Sequence, residues 1–168
     1  GRADDHPDAR RVEGALAPGF INAHGHLELS HMRGQIPSGL GMVPFLDAVT
    51  FGRTAEPEAV AAAIDEAHGE LQREGVVGMG DIANTTDALA CKRRSPLRWH
   101  SFIEVFGAVP GTWGKGLERG LPVLEAHRAA GLSAVLSPHA SYSVAAPMLS
   151  ELQRLAGEAQ NAAGHTAP

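Results

Sequence analysis

The sequence predicts a parallel α/β architecture: a partial (β/α)8 TIM barrel of about four β/α units. Short apolar runs alternate four times with amphipathic helical patterns, as they do when parallel strands are joined by crossover helices. The clearest of these runs, VVGMGDI, carries β-branched residues and is bounded by Gly75 and Asn84, which suits a strand buried on both faces. Four strands could also form an open doubly wound sheet. The glycine spacing in GVVGMGD does not match the phosphate-binding fingerprint of that class, however. Half of a barrel, whose complete form needs eight units, is the preferred reading.

The elements follow in order. Residues 1–17 are polar and charged without a period, and read as a flexible tail or the end of a preceding element. Pro18–Arg33 (PGFINAHGHLELSHMR) opens on a Pro-Gly turn and an apolar pair, Phe20 and Ile21, and predicts a strand over Gly19–His26. Gly34–Gly41 is rich in glycine and proline and reads as a loop. Pro44 suits the first turn of a short helix holding Phe45, Leu46 and Val49. Pro57 begins a second helix, with Val60, Ile64, Ala67 and Leu71 at helical spacing and Gly75 as its stop. Val76–Ile82 is a strand, Thr85–Ala90 a short helix and Arg98–Gly107 a third strand. A Gly-rich loop, Gly111–Gly116, leads to a helix over Leu121–Ala130 that Gly131 ends. Leu132–His139 is the fourth strand, and Met148–Ala163 an amphipathic helix with Leu149, Leu152, Leu155 and Ala159 inward.

Composition bounds the rest. A chain of 168 residues fits one domain with a sizeable core. A net charge of −5, with no basic cluster beyond Lys92-Arg93-Arg94, argues against a nucleic-acid partner. No apolar run reaches the roughly 18 residues that a membrane helix needs, and GRADDHPDARR offers no apolar signal region. The single cysteine, Cys91, excludes an internal disulfide and fits a reducing compartment, so cytoplasm is the expected location.

In a barrel, the C-terminal strand ends and the loops after them build the active site. Four polar clusters fall there: His24/His26/Glu28, Asp81, Glu104 and His139. Side-chain period two puts His24 and His26 on one face of their strand, where two neutral imidazoles make a ready pair of metal ligands. Glu28 either bonds a substrate amine or ring nitrogen or caps a loop. Asp81 reads as a carboxylate that holds a loop through backbone N–H groups, and His31 as a supporting or surface residue. Glu104 must find a partner if it sits inside a barrel. Three cations beside Cys91 could lower its pKa, but the thiol lacks a positioned base. His6, His68, His100, His127 and His165 match no motif and read as solvent-facing or helix-surface residues.

PGFINAHGHLELSHMRGQIP resembles the first barrel strand of the amidohydrolase superfamily in its deaminase branch, which includes cytosine, guanine, S-adenosylhomocysteine and aminofutalosine deaminases. HLELSH with GLGMVPFLDAV behind it is most similar to the aminofutalosine deaminase-like group. SPHASYSV resembles the Pro-His-x-x-Tyr stretch at the fourth strand of this branch. The resemblance implies that residues 1–17 end a small β-sandwich and that 18–168 form the first half of the barrel. His24 and His26 would be the first two ligands of a catalytic Zn2+ or Fe2+. His139 and Tyr142 would bind substrate, with Glu28 beside them. Two-metal relatives place a carboxylated lysine on the fourth strand; this chain has none there, which implies one metal.

The activity implied is hydrolytic deamination. A metal-activated water adds to an amino-bearing ring carbon, such as C6 of an adenine ring, and ammonia leaves while a carboxylic acid moves the protons. The substrate would be a small molecule, by closest resemblance 6-amino-6-deoxyfutalosine, converted to futalosine on the menaquinone route. A homo-oligomer of the full-length protein is a further expectation. The family's third metal histidine and catalytic glutamate belong to a fifth strand, another histidine to the sixth and an aspartate to the eighth. The resemblance therefore implies the front half of a longer enzyme, inactive by itself and without a catalytic base of its own. Two other readings stay open: a different hydrolase of the superfamily (guanine, cytosine or S-adenosylhomocysteine deaminase, or a chlorohydrolase), and a non-catalytic α/β remnant.

Overall fold

Four parallel strands pair in sequence order. They are β1 (Phe20–Gly25), β2 (Val76–Ala83), β3 (Arg98–Val105) and β4 (Ser133–Pro138). Residues 8, 10, 13–109, 111 and 113–164 are described in this computed structural model, the side chains of 159–164 excepted. Each crossover advances the sheet by one strand in the same direction, as in a (β/α)8 barrel; a doubly wound sheet reverses direction part-way. The fold is a partial barrel, with β1 and β4 as its edges. The segment 1–17 falls largely outside the described residues, and its described part carries no helix or strand.

Helices cover one face of the sheet. A 3-10 helix (Leu27–Met32) follows β1, and then come α1 (Met42–Gly52), α2 (Pro57–Arg73), α3 (Leu89–Arg94), α4 (Trp113–Ala129) and α5 (Ala146–Gly164). On β3 the alternation is regular. Trp99, Ser101, Ile103 and Val105 are buried, while Arg98, His100, Phe102 and Glu104 on the other face keep some exposure. The register carries this across the sheet, pairing Met79 with Trp99, Asp81 with Ser101 and Ala83 with Ile103 on the helix side. Val60 and Ile64 of α2 pack with Met79, Cys91 and Trp99. Leu124 of α4 meets Ala83 and Ile103, and Leu117, Met148 and Leu152 close over Val105. Helix α2 follows its predicted pattern, with Pro57 in its first turn. Among the described residues no helix is long and apolar enough to cross a membrane.

The structure corrects several expectations. The strands are trimmed at their ends, so His26 is the first residue beyond β1. Helix α4 starts at Trp113, inside the predicted Gly-rich loop. Its glycines serve close packing: a Cβ at Gly116 would lie 2.3 Å from the Phe106 carbonyl oxygen, and one at Gly120 would lie 2.6 Å from a Val105 methyl. Helix α3 begins at Leu89 instead of Thr85. Ahead of it, the Asp87 N–H bonds Thr85 Oγ1 (3.3 Å), and this local bonding competes with helix formation. Leu149, expected inward, is 42% exposed, whereas Leu152 is buried; Ala159 lies outside the described side chains.

Three histidines also move inward. His100 bonds Ser133 Oγ (2.8 Å) across β3 and β4, and His68 bonds Ser95 Oγ (2.7 Å). His127 is 1% exposed. His6 and His165 lie outside the described residues. His127 Nδ1–H donates to Val123 O (2.9 Å), which leaves Nε2 as an acceptor 3.5 Å from Lys92 Nζ. Burial first, and the Lys92 charge after it, hold this imidazole below its ordinary 6.5. Below about pH 6.5 the unfolded chain then takes up a proton that the folded chain refuses, so stability falls as the pH drops through that value. The urea midpoint is expected to fall between about pH 7.5 and pH 5.5, and His127→Gln to flatten that slope.

Candidate functional site

The end of β1 is irregular. Its register with β2 breaks between Asn22 and Gly25, pairing those two residues with Met79 and Asp81. Both partners face the helices, and His24 lies between them where the register slips. Such a break is how a strand re-aims a side chain at its end. The His24 N–H donates to Asn22 Oδ1 (3.1 Å) and helps to hold the turn of the chain there. Gly80 lets β1 approach, because a Cβ there would sit 2.6 Å from the Ala23 oxygen.

His24 and His26 end with ring centres 5.3 Å apart, nearly perpendicular. Two imidazoles bound tetrahedrally to one zinc have centres roughly 5 Å apart, given Zn–N distances of about 2 Å. His26 Nδ1 is buried without a hydrogen-bond partner, so a ring nitrogen is left over for another ligand. These two residues fit a metal as half of its site. No group of three or more His, Cys, Asp or Glu among the described residues is placed to hold one.

Two buried carboxylates fix the surroundings of this pair. Asp81, with no exposed surface, accepts the Leu27 N–H at 2.8 Å through Oδ1. This is the backbone-holding role expected for it. Its Oδ2 lies 2.5 Å from Lys92 Nζ, also fully buried. That contact is a close charge pair, and Lys92 also donates to Ser101 Oγ at 2.8 Å. Burial pushes the Asp81 carboxyl up, and Lys92 pulls it back only in part.

Glu28 is 3% exposed. Its Oε1 accepts from Arg53 at 3.1 Å, and its Oε2 accepts the Asn84 and Thr85 N–H groups at 2.9 and 2.8 Å. Thr85 Oγ1 lies 2.9 Å from that oxygen and 2.8 Å from Asp87 Oδ2, with one proton for both. Loop capping thus accounts for every bond of Oε2, while Oε1 pairs with Arg53. His31 bridges two backbone carbonyls, with Nδ1 3.1 Å from Glu28 O and Nε2 3.0 Å from Arg53 O.

The remaining candidates gather at the ends of β3 and β4. The His139 N–H donates to Val105 O (3.1 Å). Its Nδ1–H donates to Ser143 Oγ (2.8 Å), whose own proton goes to Ala140 O, which leaves Nε2 free to accept. The Tyr142 ring stands edge-on to His139, 6.1 Å between centres, and is 66% exposed. Tyr142 and Glu104 line a cavity of about 690 Å3 with Arg53, Asn84, Phe106 and Lys115. Neither His24, His26 nor His139 lines it, and His26 instead borders a groove against α2 with Ser30, Ala67 and Glu70. Donor chemistry, rather than cavity size, locates the metal-ligand candidates.

The basic run at residues 92–94 hid the buried lysine. The signal for it was helical spacing, since Ala88, Cys91 and Lys92 fall at i, i+3 and i+4 and all three are buried. Cys91 itself is corrected. Burial, with Asp65 adding to it, raises the thiol to about 11, and the neighbouring cations do not reverse this. Cys91 is therefore expected to resist a thiol reagent at about pH 8 until urea unfolds the chain, as followed by mass spectrometry. Glu28→Gln is expected to cost about 1–3 kcal/mol in urea unfolding, since the charge that several donors share is lost.

No protein-family profile matches the chain. A protein described as adenosine deaminase, from Helicobacter pylori (strain ATCC 700392 / 26695), is 30% identical over 147 residues, 87% of this chain and 36% of that protein. The crystal structure of Helicobacter pylori aminofutalosine deaminase with methylthio-coformycin superposes at a TM-score of 0.71 with 30% identity, covering 85% of this chain and 35% of that one. An adenosine deaminase from Xanthomonas campestris with bound zinc superposes at 0.66 with 22% identity, over 84% and 34%, and this likeness shows the fold. The chain spans about a third of the length of each.

Proposed function

The chain is similar in sequence and in fold to the deaminase branch of the amidohydrolase superfamily, and from that premise we propose that it carries the metal-binding first strand of a hydrolytic deaminase. The observation behind this is the His24/His26 pair, 5.3 Å between ring centres at the end of β1. A divalent metal there, Zn2+ or Fe2+, would supply a water activated for attack at neutral pH. His24 and His26 would hold it. His139, with Nε2 free, and Tyr142 would receive the substrate. Glu28 would meet a substrate amine through Oε1, which among the described residues accepts from Arg53 alone.

The substrate class is a small amino-purine-type molecule, and 6-amino-6-deoxyfutalosine is the first to try, on the menaquinone route in the cytoplasm. The identity of 30% with the aminofutalosine deaminase supports that order of trial. Guanine, cytosine and S-adenosylhomocysteine, and chlorinated triazines, form the comparison panel. No nucleic acid takes part, and a homo-oligomeric enzyme completes the reading.

Calorimetric titration with Zn2+ tests the metal site. The double variant H24A/H26A is expected to lose at least about tenfold in affinity while unfolding like the native chain; unchanged binding would favour the non-catalytic remnant. Across the substrate panel with Zn2+, no ammonia release is expected from the 168-residue chain. Two histidines give a catalytic zinc fewer than its usual three protein ligands, and measurable turnover would overturn that expectation.

A further inference from the structure

We infer that Asp81, anchored by Lys92, is a positioning residue for the metal-ligand pair, acting through the peptide that joins His26 to Leu27. The inference rests on the metal reading of His24 and His26. His26 is the first residue past β1, where the strand ladder no longer fixes its backbone. The Leu27 N–H belongs to the same peptide plane as the His26 carbonyl, and Asp81 Oδ1 accepts it at 2.8 Å. Holding that plane limits where the His26 ring can go.

Asp81 is held in turn. Lys92 Nζ lies 2.5 Å from Oδ2 and 2.8 Å from Ser101 Oγ on β3, 3.5 Å from His127 Nε2 on α4 and 5.7 Å from the centre of the Trp99 ring. Asp81, Lys92 and Ser101 are all 2% exposed or less. A charge pair in such a place is costly to desolvate, and well-packed apolar residues of similar size commonly serve stability as well or better. Stability therefore gives no sufficient reason for the pair. A fixed acceptor for the Leu27 N–H does, because outer-shell hydrogen bonds that orient metal ligands change metal affinity about 10–100-fold when removed.

Two double variants separate positioning from folding. In D81L/K92M the charge pair is replaced by apolar groups and the Leu27 N–H loses its acceptor. In D81N/K92M the pair is also gone, but the amide oxygen can still accept. Zn2+ affinity by calorimetry and thermal unfolding are measured on both and on the native chain. The expected result is a native-like or higher melting temperature for D81L/K92M with about tenfold weaker Zn2+ binding, and binding within about threefold of native for D81N/K92M. Native Zn2+ affinity in a folded D81L/K92M would overturn the inference. Should D81L/K92M not fold, S101A carries the test, since it loosens Lys92 without touching a charge. At least about twofold weaker Zn2+ binding is then expected, and unchanged binding overturns the inference. A native chain that binds no Zn2+, or binds it equally after H24A/H26A, defeats the metal reading itself and the inference with it.

Discussion

The C-terminal end of the sheet depends on a reciprocal exchange between two buried carboxylates. Asp81, near the end of β2, takes a peptide N–H just past β1, and Glu28, just past β1, takes two just past β2. A parallel ladder satisfies backbone groups only while its strands run side by side. Where the strands stop, each buried peptide group needs another partner, and an ionised carboxylate is among the strongest acceptors on offer. Each carboxylate also has its own cation, Lys92 for Asp81 and Arg53 for Glu28. Through them the exchange reaches α3, β3, α4 and the end of α1, and so joins most of the elements around the first two strands.

The two halves of this exchange are not equivalent. Arg53 is partly solvated, so Glu28 keeps one flexible and replaceable partner. The Asp81–Lys92 pair has no contact with solvent, and burial outweighs the lysine in setting the direction of the Asp81 shift. Taking two charges out of water costs an amount that their attraction often does not return in full. What the pair supplies is a fixed geometry, because its Lys92 end is tied to β3 and its Asp81 end to the backbone beside His26. Geometry can be worth that cost where a ligand must be aimed.

How much was legible in the sequence follows from the kind of force at each position. The apolar spacing of Val60, Ile64, Ala67 and Leu71 reports one helix face and predicted α2 well, because burial has a period. The strand runs were legible for the same reason. The first turns of helix α4 were not, since Gly114 and Gly116 read as loop while Gly116 serves close approach to the chain just past β3. Of the site, the strand-end positions of the polar clusters were legible from the strand pattern. The partners were not: the Lys92–Asp81, Arg53–Glu28 and His139–Ser143 contacts link residues whose pairing depends on where loops and helices return, and no local period encodes that.

The fold also separates what holds it together from what it presents. Its hydrophobic clusters lie between the sheet and the helices, at Trp99, Ile103 and Val105 among others. The opposite face carries His100, Phe102 and Glu104, and the end of β1 carries the His24/His26 pair. Apolar burial is non-directional and roughly proportional to area, so the clusters can support the scaffold without specifying the angle of any ring at its edge. Directional contacts must do that, and they are found where the strands end: one N–H to Asp81, two to Glu28, one to Val105 O. A substitution in the clusters should then move stability first and site geometry second. Replacing Asp81 together with Lys92 is the substitution expected to move the geometry with little change in stability, and that independence leaves room for chemistry to be tuned on an unchanged frame.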